Sequence, residues 1–324
     1  MQTNMSVINN SLSNYGNCTR IMIMNNPTLD LFKMILLPSI LLFGTIFNGI
    51  GIWVFYFKMK TYTETRVFIM NLLVSDCCLL ITIPFRFYDI FGWQMNDTCC
   101  RSIRSSYFMN TYMSIAIITL ISLDRYLAIK FPLRSRTLRS PRKTAVACGI
   151  LWLLFLLTRI VFELFDYRAL QPFCFRKTTS KPLYKAIYFS ILGFYIPLPI
   201  IVFCSIEVIK TLKTKDTNSL HEQQCIQKSI YIISTNLIVF LLCFLPVQIG
   251  NVVRFIIEYL KLDCLLIKQI NDYVYAAQGI ADLNCCLDAL CYYLVAREFS
   301  GKKTKSTKAE PLNQTTEQTQ QSNL

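Results

Sequence analysis

The chain has 324 residues, 53% of them hydrophobic and only 16% charged, with a mean hydropathy of +0.41. A soluble domain carries about a quarter charged residues, so the composition excludes an ordinary soluble protein and points to a membrane. The net charge of +14 does not argue for nucleic acid, because the bases lie between apolar runs rather than in one patch.

Residues 1–30 are polar and asparagine-rich, with no basic segment leading into an apolar core, so no cleavable signal peptide is expected. The first apolar run is then its own insertion signal. Seven apolar runs follow, at 31–57, 67–91, 100–127, 144–165, 184–209, 228–257 and 268–294. Each reaches the ~20 residues that a helix needs to cross a bilayer. Hydrocarbon offers no partner to a backbone amide, so these runs are expected to be helices. Pro38, Pro84, Pro197, Pro199 and Pro246 fall inside them and predict kinks. From about Phe299 the chain is rich in Lys, Ser, Thr and Gln, which predicts a disordered tail over 300–324. The expected fold is an all-α integral membrane protein: a 1–30 tail, a seven-transmembrane helix bundle over 31–299, and an inner tail after a short amphipathic helix.

Clusters of Lys and Arg follow the first, third, fifth and seventh runs, including Lys58, Arg134, Arg139, Lys210 and Lys302. Positive loops stay in the cytosol, which puts the N-terminus outside. Glycosylation sequons at Asn4, Asn9, Asn17 and Asn96 all fall on that predicted outer side. Most of the fourteen cysteines lie inside apolar runs, where they read as small buried hydrophobes. Cys18, Cys99, Cys100, Cys174 and Cys264 lie in polar connections on the oxidising side, where disulfides are permitted. Spacing alone leaves their pairing open.

Three groups of charges interrupt the oily runs. At 100° per residue, Arg104, Tyr107, Thr111, Ser114 and Arg125 share one stripe of the third helix. That stripe is roughly 30 Å long, with Asp124 beside Arg125 at its inner end. Asp76 and Asp288 lie mid-span with Asn48, Ser114 and Asn284 available as neutral oxygen donors. Two carboxylates in hydrocarbon require a cation, a shared proton or strong donors. Arg86, Arg101, Arg104, Arg159, Arg176, Lys177 and Arg254 lie at or near outer ends, where topology does not call for them. They indicate a small anionic ligand, since the guanidinium fork takes carboxylate or phosphate bidentately. For any single one of them, a loop charge or a pair with Glu163, Asp166 or Asp89 is the plainer account. One histidine, His221 in a polar loop, leaves no catalytic or metal cluster to assemble.

The motifs taken together resemble the rhodopsin-like G protein-coupled receptors over about residues 31–300. They are Asn48 in "GTIFNGIGIWV", Asp76 in "NLLVSD", Asp124-Arg125-Tyr126 in "LDRYLAIKFPL", Trp152, and Pro246 in "CFLP". The stretch "NCCLDALCYYLVAREF" is similar to members that respond to kynurenate-like aromatic acids. The resemblance implies that Asp124 restrains Arg125 at rest, and that activation frees Arg125 for the G protein with Tyr126 and Tyr292 in the switch. It implies an allosteric sodium ion at Asn48, Asp76, Ser114, Asn284 and Asp288. It implies a bridge between Cys100 and Cys174; Cys18 with Cys264 would tie the tail to the third outer loop, and Cys99 is an alternative to Cys100.

Partners implied are inhibitory-type and twelve/thirteen-type heterotrimeric G proteins and arrestin, with membrane lipid meeting the basic loops. The agonist implied is a kynurenate-like acid or lysophosphatidic acid, held by Arg86, Arg104, Tyr107, Thr111, Arg159, Arg176 and Arg254. Other acidic ligands (a nucleotide, a hydroxy-carboxylate, another lysophospholipid) are rival readings within the class. An ion-coupled transporter is the rival outside it, although no internal repeat supports one. Several departures stand out: Thr111 stands where the resemblance expects an arginine, a fourth-span arginine is displaced by about one turn to Arg159, and Arg86 is an added cation. Asp288-Ala289 replaces the usual Asn-Pro ahead of Tyr292.

Overall fold

A computed structural model describes residues 18–58, 62–93, 95–165, 174–215 and 219–289. Asn4, Asn9, Asn17 and Tyr292, the amphipathic segment and the 300–324 tail lie outside the described residues. So does the end of the seventh run, 290–294.

The described chain is a helical bundle. After a helical turn over 18–23, α1 (Pro27–Trp53) begins with Pro at its first position and Asn26 as its cap, whose Oδ1 accepts from Leu29 N–H. It ends in a widened turn over Val54–Lys58. α2 (Glu64–Ile90) is capped by Thr63, and α3 (Asp97–Lys130) by Asn96. The side-chain carbonyl of Asn96 accepts from Thr98 N–H, and the residue is exposed. Its amide nitrogen, the atom a glycan would join, takes no part in that bond. α4 (Pro132–Leu138) is a short helix after α3, and α5 (Pro141–Phe165) is the fourth long helix.

The fifth run is the one that departs from a single helix. α6 (Tyr184–Ser190) passes into a widened turn at Ile191–Tyr195 before α7 (Pro197–Lys213). Ile196 N–H reaches back five residues to Ile191 C=O at 3.0 Å. Pro197 and Pro199 have no N–H to continue the ordinary ladder, so the wide turn takes up the mismatch just before them. Gly193 lies in that turn because α3 comes so close: a Cβ there would sit 2.5 Å from Tyr112 Cδ1.

α8 (Leu220–Tyr259) is capped by Ser219 and runs 40 residues, well past the 228–257 apolar run. Hydropathy marks the oil-immersed length; the hydrogen-bond ladder continues into water. α9 (Cys264–Asp282) ends in a turn at Leu283, and helix resumes over 284–289.

Six of the described helices are long and apolar enough to cross a membrane. α9 carries Lys268, Asp272 and Asp282 and is not one of them; its charges turn inward rather than to lipid. Large apolar side chains point outward along α1 and α5, among them Leu42, Phe43, Leu153, Leu154 and Ile160. Polar groups such as Asn48, Asp76, Ser114 and Gln248 are almost fully buried. This inversion suits a bilayer, where lipid solvates the apolar surface and buried polar groups find partners inside. α3 packs against α2, α5 and α7, so its side chains line the centre of the bundle. Trp152 Nε1 donates to Asn71 Oδ1 at 3.0 Å, tying α5 to α2.

Candidate functional site

The acidic pair occupies the bundle centre. Asn110 Nδ2 donates to Asp76 Oδ1 at 3.2 Å, and Asn284 Nδ2 to Asp288 Oδ2 at 2.6 Å. Asn48 Nδ2 is spent on the carbonyls of Gly44 and Cys285, both at 3.0 Å. The remaining atoms, Asn48 Oδ1, Asp76 Oδ2, Ser114 Oγ and Asn284 Oδ1, are buried and accept no hydrogen bond. A buried acceptor left unpaired costs about 1–3 kcal/mol, and here there are four. Such an all-oxygen set, with two carboxylates nearby, is what a hard cation needs. Sodium therefore fits these residues. Asn110 was missed from the sequence, although it stands one turn before Ser114 on the same helix.

At the end of the bundle that carries the disulfides, the cations divide. Arg86 is buried and pairs with Asp282 at 2.6 Å, with exposures of 9% and 3%. Its guanidinium lies 4.5 Å from the centre of the Tyr107 ring and 5.9 Å from that of Phe175. The sequence placed Arg86 among the ligand-binding cations; the structure gives it Asp282 as a partner that the sequence did not name. Arg176 likewise turns aside, donating to Asp30 at 2.9 Å and Asn25 at 2.5 Å at the head of α1. Arg159 donates to the backbone carbonyl of Arg101 at 3.3 Å.

Asp89 was a candidate counter-ion for an arginine. Instead its two oxygens accept the backbone N–H groups of Cys174 (2.9 Å) and Phe175 (3.2 Å). Lys177 pairs with the buried Glu258, and its N–H donates to Tyr275 Oη at 2.5 Å. The segment 174–177 is thus a strap fastened to α1, α2, α8 and α9, and by the Cys100–Cys174 bridge to α3. A second bridge joins Cys18 to Cys264. Cys99 is a free, exposed thiol.

Tyr107 meets Phe175 of the strap edge to face, ring centres 6.4 Å apart; Arg104 and Thr111 stand on the same helix as Tyr107, and Arg254 on α8. Tyr107 is buried, and Arg104 and Thr111 are half-buried. Arg254 is 5% exposed, and its hydrogen bond goes to the neutral amide of Asn251 at 3.0 Å.

At the opposite end, the sequence assigned Asp124 to Arg125. The structure gives both Asp124 oxygens to Arg139, at 2.7 and 2.9 Å, with Glu64 3.9 Å from the same guanidinium. Arg139 is the residue that stops α4, folded back against α3. Arg125 donates to Thr65 Oγ1 at 3.3 Å. Tyr126 packs between Phe131 and Phe203. Lys130 pairs with Glu207 at 3.2 Å, joining α3 to α7.

A helical bundle with buried, unpaired oxygens around two central carboxylates, a strapped cationic end and an arginine at the other end of α3 suits a seven-helix membrane receptor. The sequence profile of the rhodopsin family of seven-transmembrane receptors matches residues 47–292, and the chain belongs to that family. It is 37% identical to human G-protein coupled receptor 35 over 274 residues, 84% of this chain and 86% of the relative. It is 33% identical to human lysophosphatidic acid receptor 4 over 275 residues, 80% of this chain and 73% of the relative. Mouse G-protein coupled receptor 55 is 32% identical over 278 residues, 81% and 85% of the two chains. The family makes the chain a multi-pass membrane receptor and implies signalling through G proteins.

Proposed function

We propose that the chain is a plasma-membrane receptor, N-terminus outside, that reports an extracellular anionic small molecule to heterotrimeric G proteins. The observation that carries this is Arg254. This buried guanidinium hydrogen-bonds only to a neutral amide, and the carboxylate one turn away, Glu258, is shared with Lys177, so two cations draw on one buried acid. A ligand carboxylate or phosphate supplies the missing negative charge, with Arg104 as second cation and Tyr107 and Thr111 along the same wall. Kynurenate-like aromatic acids and lysophosphatidic acid both have the required head group. The name of the matched lysophosphatidic acid receptor favours keeping the lipid beside the aromatic acid.

Ligand binding favours an active arrangement in which Arg125 leaves Thr65 for the G protein, of inhibitory or twelve/thirteen type, with arrestin following. Arg86 and Arg176 support the site through Asp282 and the strap rather than by touching ligand. Arg159 stands at its margin.

The test is G protein dissociation in cells titrated with kynurenate and with lysophosphatidic acid. Wild type is compared with Arg254→Ala and Arg125→Ala at matched surface expression. A response abolished in both variants is expected. A response untouched by Arg254→Ala refutes the anion site. Substrate flux or current without G protein points to the transporter reading.

A further inference from the structure

A second group of cations gathers at the heads of α1 and α9 and includes neither Arg104 nor Arg254. The heads of α1 and α9, the 174–177 strap and the helical turn over 18–23 line a small open cleft. Most charges along its wall are matched. Arg176 pairs with Asp30 at 2.9 Å, and Lys268 pairs with Asp272 at 2.5 Å. Asn26 Nδ2 adds a hydrogen bond to Asp272 at 2.9 Å, and Lys177 is taken by Glu258.

Lys33 is the exception. Among the described residues no carboxylate forms an ion pair with its ammonium, although Asp30, Asp89 and Asp282 act on it from farther off. Its contact is the face of Tyr275, 4.8 Å from Nζ to the ring centre. Tyr275 is itself fixed by the hydrogen bond it accepts from Lys177 N–H. A ring face attracts an ammonium but satisfies none of its three N–H donors as an acceptor would. Arg176 and Lys268 flank the same cleft beside their own carboxylates. Met22 and Leu29 provide an apolar wall beside the charges.

We propose that this cleft is a second anion-binding site, anchored by Lys33, for one small oxyanion group: a phosphate monoester or a carboxylate. That chemistry comes from a lysophospholipid head group or from a soluble anion. Under the orientation proposed above, the cleft faces outward, and an occupant would lock α1, α9 and the strap together. The inference does not rest on Arg254, so the two readings fail separately.

The experiment uses the full-length receptor in neutral-lipid nanodiscs and follows thermal unfolding with two probes. One is inorganic phosphate against chloride at equal ionic strength; the other is oleoyl lysophosphatidate. The expected result is a rise in Tm in wild type, Arg254→Ala and Lys33→Arg that falls by more than half in Lys33→Gln. A Lys33-dependent rise with both probes assigns the site to the oxyanion itself. A rise with lysophosphatidate alone assigns it to the lipid head group, and either outcome supports the site. No rise with either probe, or a rise unchanged in Lys33→Gln, overturns it. Should Lys33→Gln not fold, reductive methylation of wild type decides: the stabilising probe must slow modification of Lys33, and unslowed modification overturns the proposal.

Discussion

The pair of Arg86 and Asp282 makes a quantitative claim about how the second and seventh helices are held. Arg86→Met leaves Asp282 as a buried carboxylate without its partner, and Asp282→Leu leaves Arg86 as a buried cation. Both side chains are less than one-tenth exposed. Breaking such a pair from one side costs about 3–5 kcal/mol. At about 2–4 °C per kcal/mol for a chain of a few hundred residues, each single variant should lose roughly 6–20 °C in Tm. Arg86→Met/Asp282→Leu removes both charges and leaves apolar side chains of similar volume beside Tyr107 and Phe175. It should return to within about 1 kcal/mol of wild type, a coupling energy of several kcal/mol. The assay is a double-mutant cycle on purified receptor, read by thermal unfolding. Losses in the double variant that equal the sum of the two singles would refute a buried, mutually compensating pair. They would return Arg86 to the list of ligand cations.

Two further outcomes follow from the other levels of the bundle. Arg139→Ala releases Asp124 from its bidentate partner. The pair is partly exposed and worth about 0.5–1 kcal/mol, so basal G protein dissociation without agonist should rise about two- to fivefold; an unchanged or lower basal level counts against Arg139 as a restraint. Replacing choline chloride by sodium chloride at equal ionic strength should raise the Tm of wild type, and Asp76→Asn should abolish that difference. A sodium effect that survives in Asp76→Asn would remove sodium from the Asp76–Asp288 cavity.

Whether a feature was legible in the sequence depended on how locally its cause lies. Asn26, Thr63, Asn96 and Ser219 cap their helices through donors within three residues, and the apolar runs announce the spans they begin. Asn48, Asp76, Ser114, Asn284 and Asp288 could be named as a group because charges in mid-span are expensive and must serve something. The widened turn at Ile191–Tyr195 was visible only as prolines, since where a helix gives way is settled by what packs on it, here Tyr112 against Gly193.

Ion pairing was the poorest guess, and the separations explain it. Arg86 and Asp282 are 196 residues apart, Asp124 and Arg139 are 15, and Arg176 and Asp30 are 146. Each arginine had several carboxylates within conceivable reach, and a charge acts through space without regard to order along the chain. The amino-acid sequence by itself determined the oily spans, the stripe of polar groups on the third helix and the motifs of the family, because bilayer thickness and helical period act on neighbouring residues. Only the tertiary structure decided which cations are spent on Asp30, Asp124, Glu258 and Asp282. Packing does this because it sets which charges end up close together, whatever their separation along the chain.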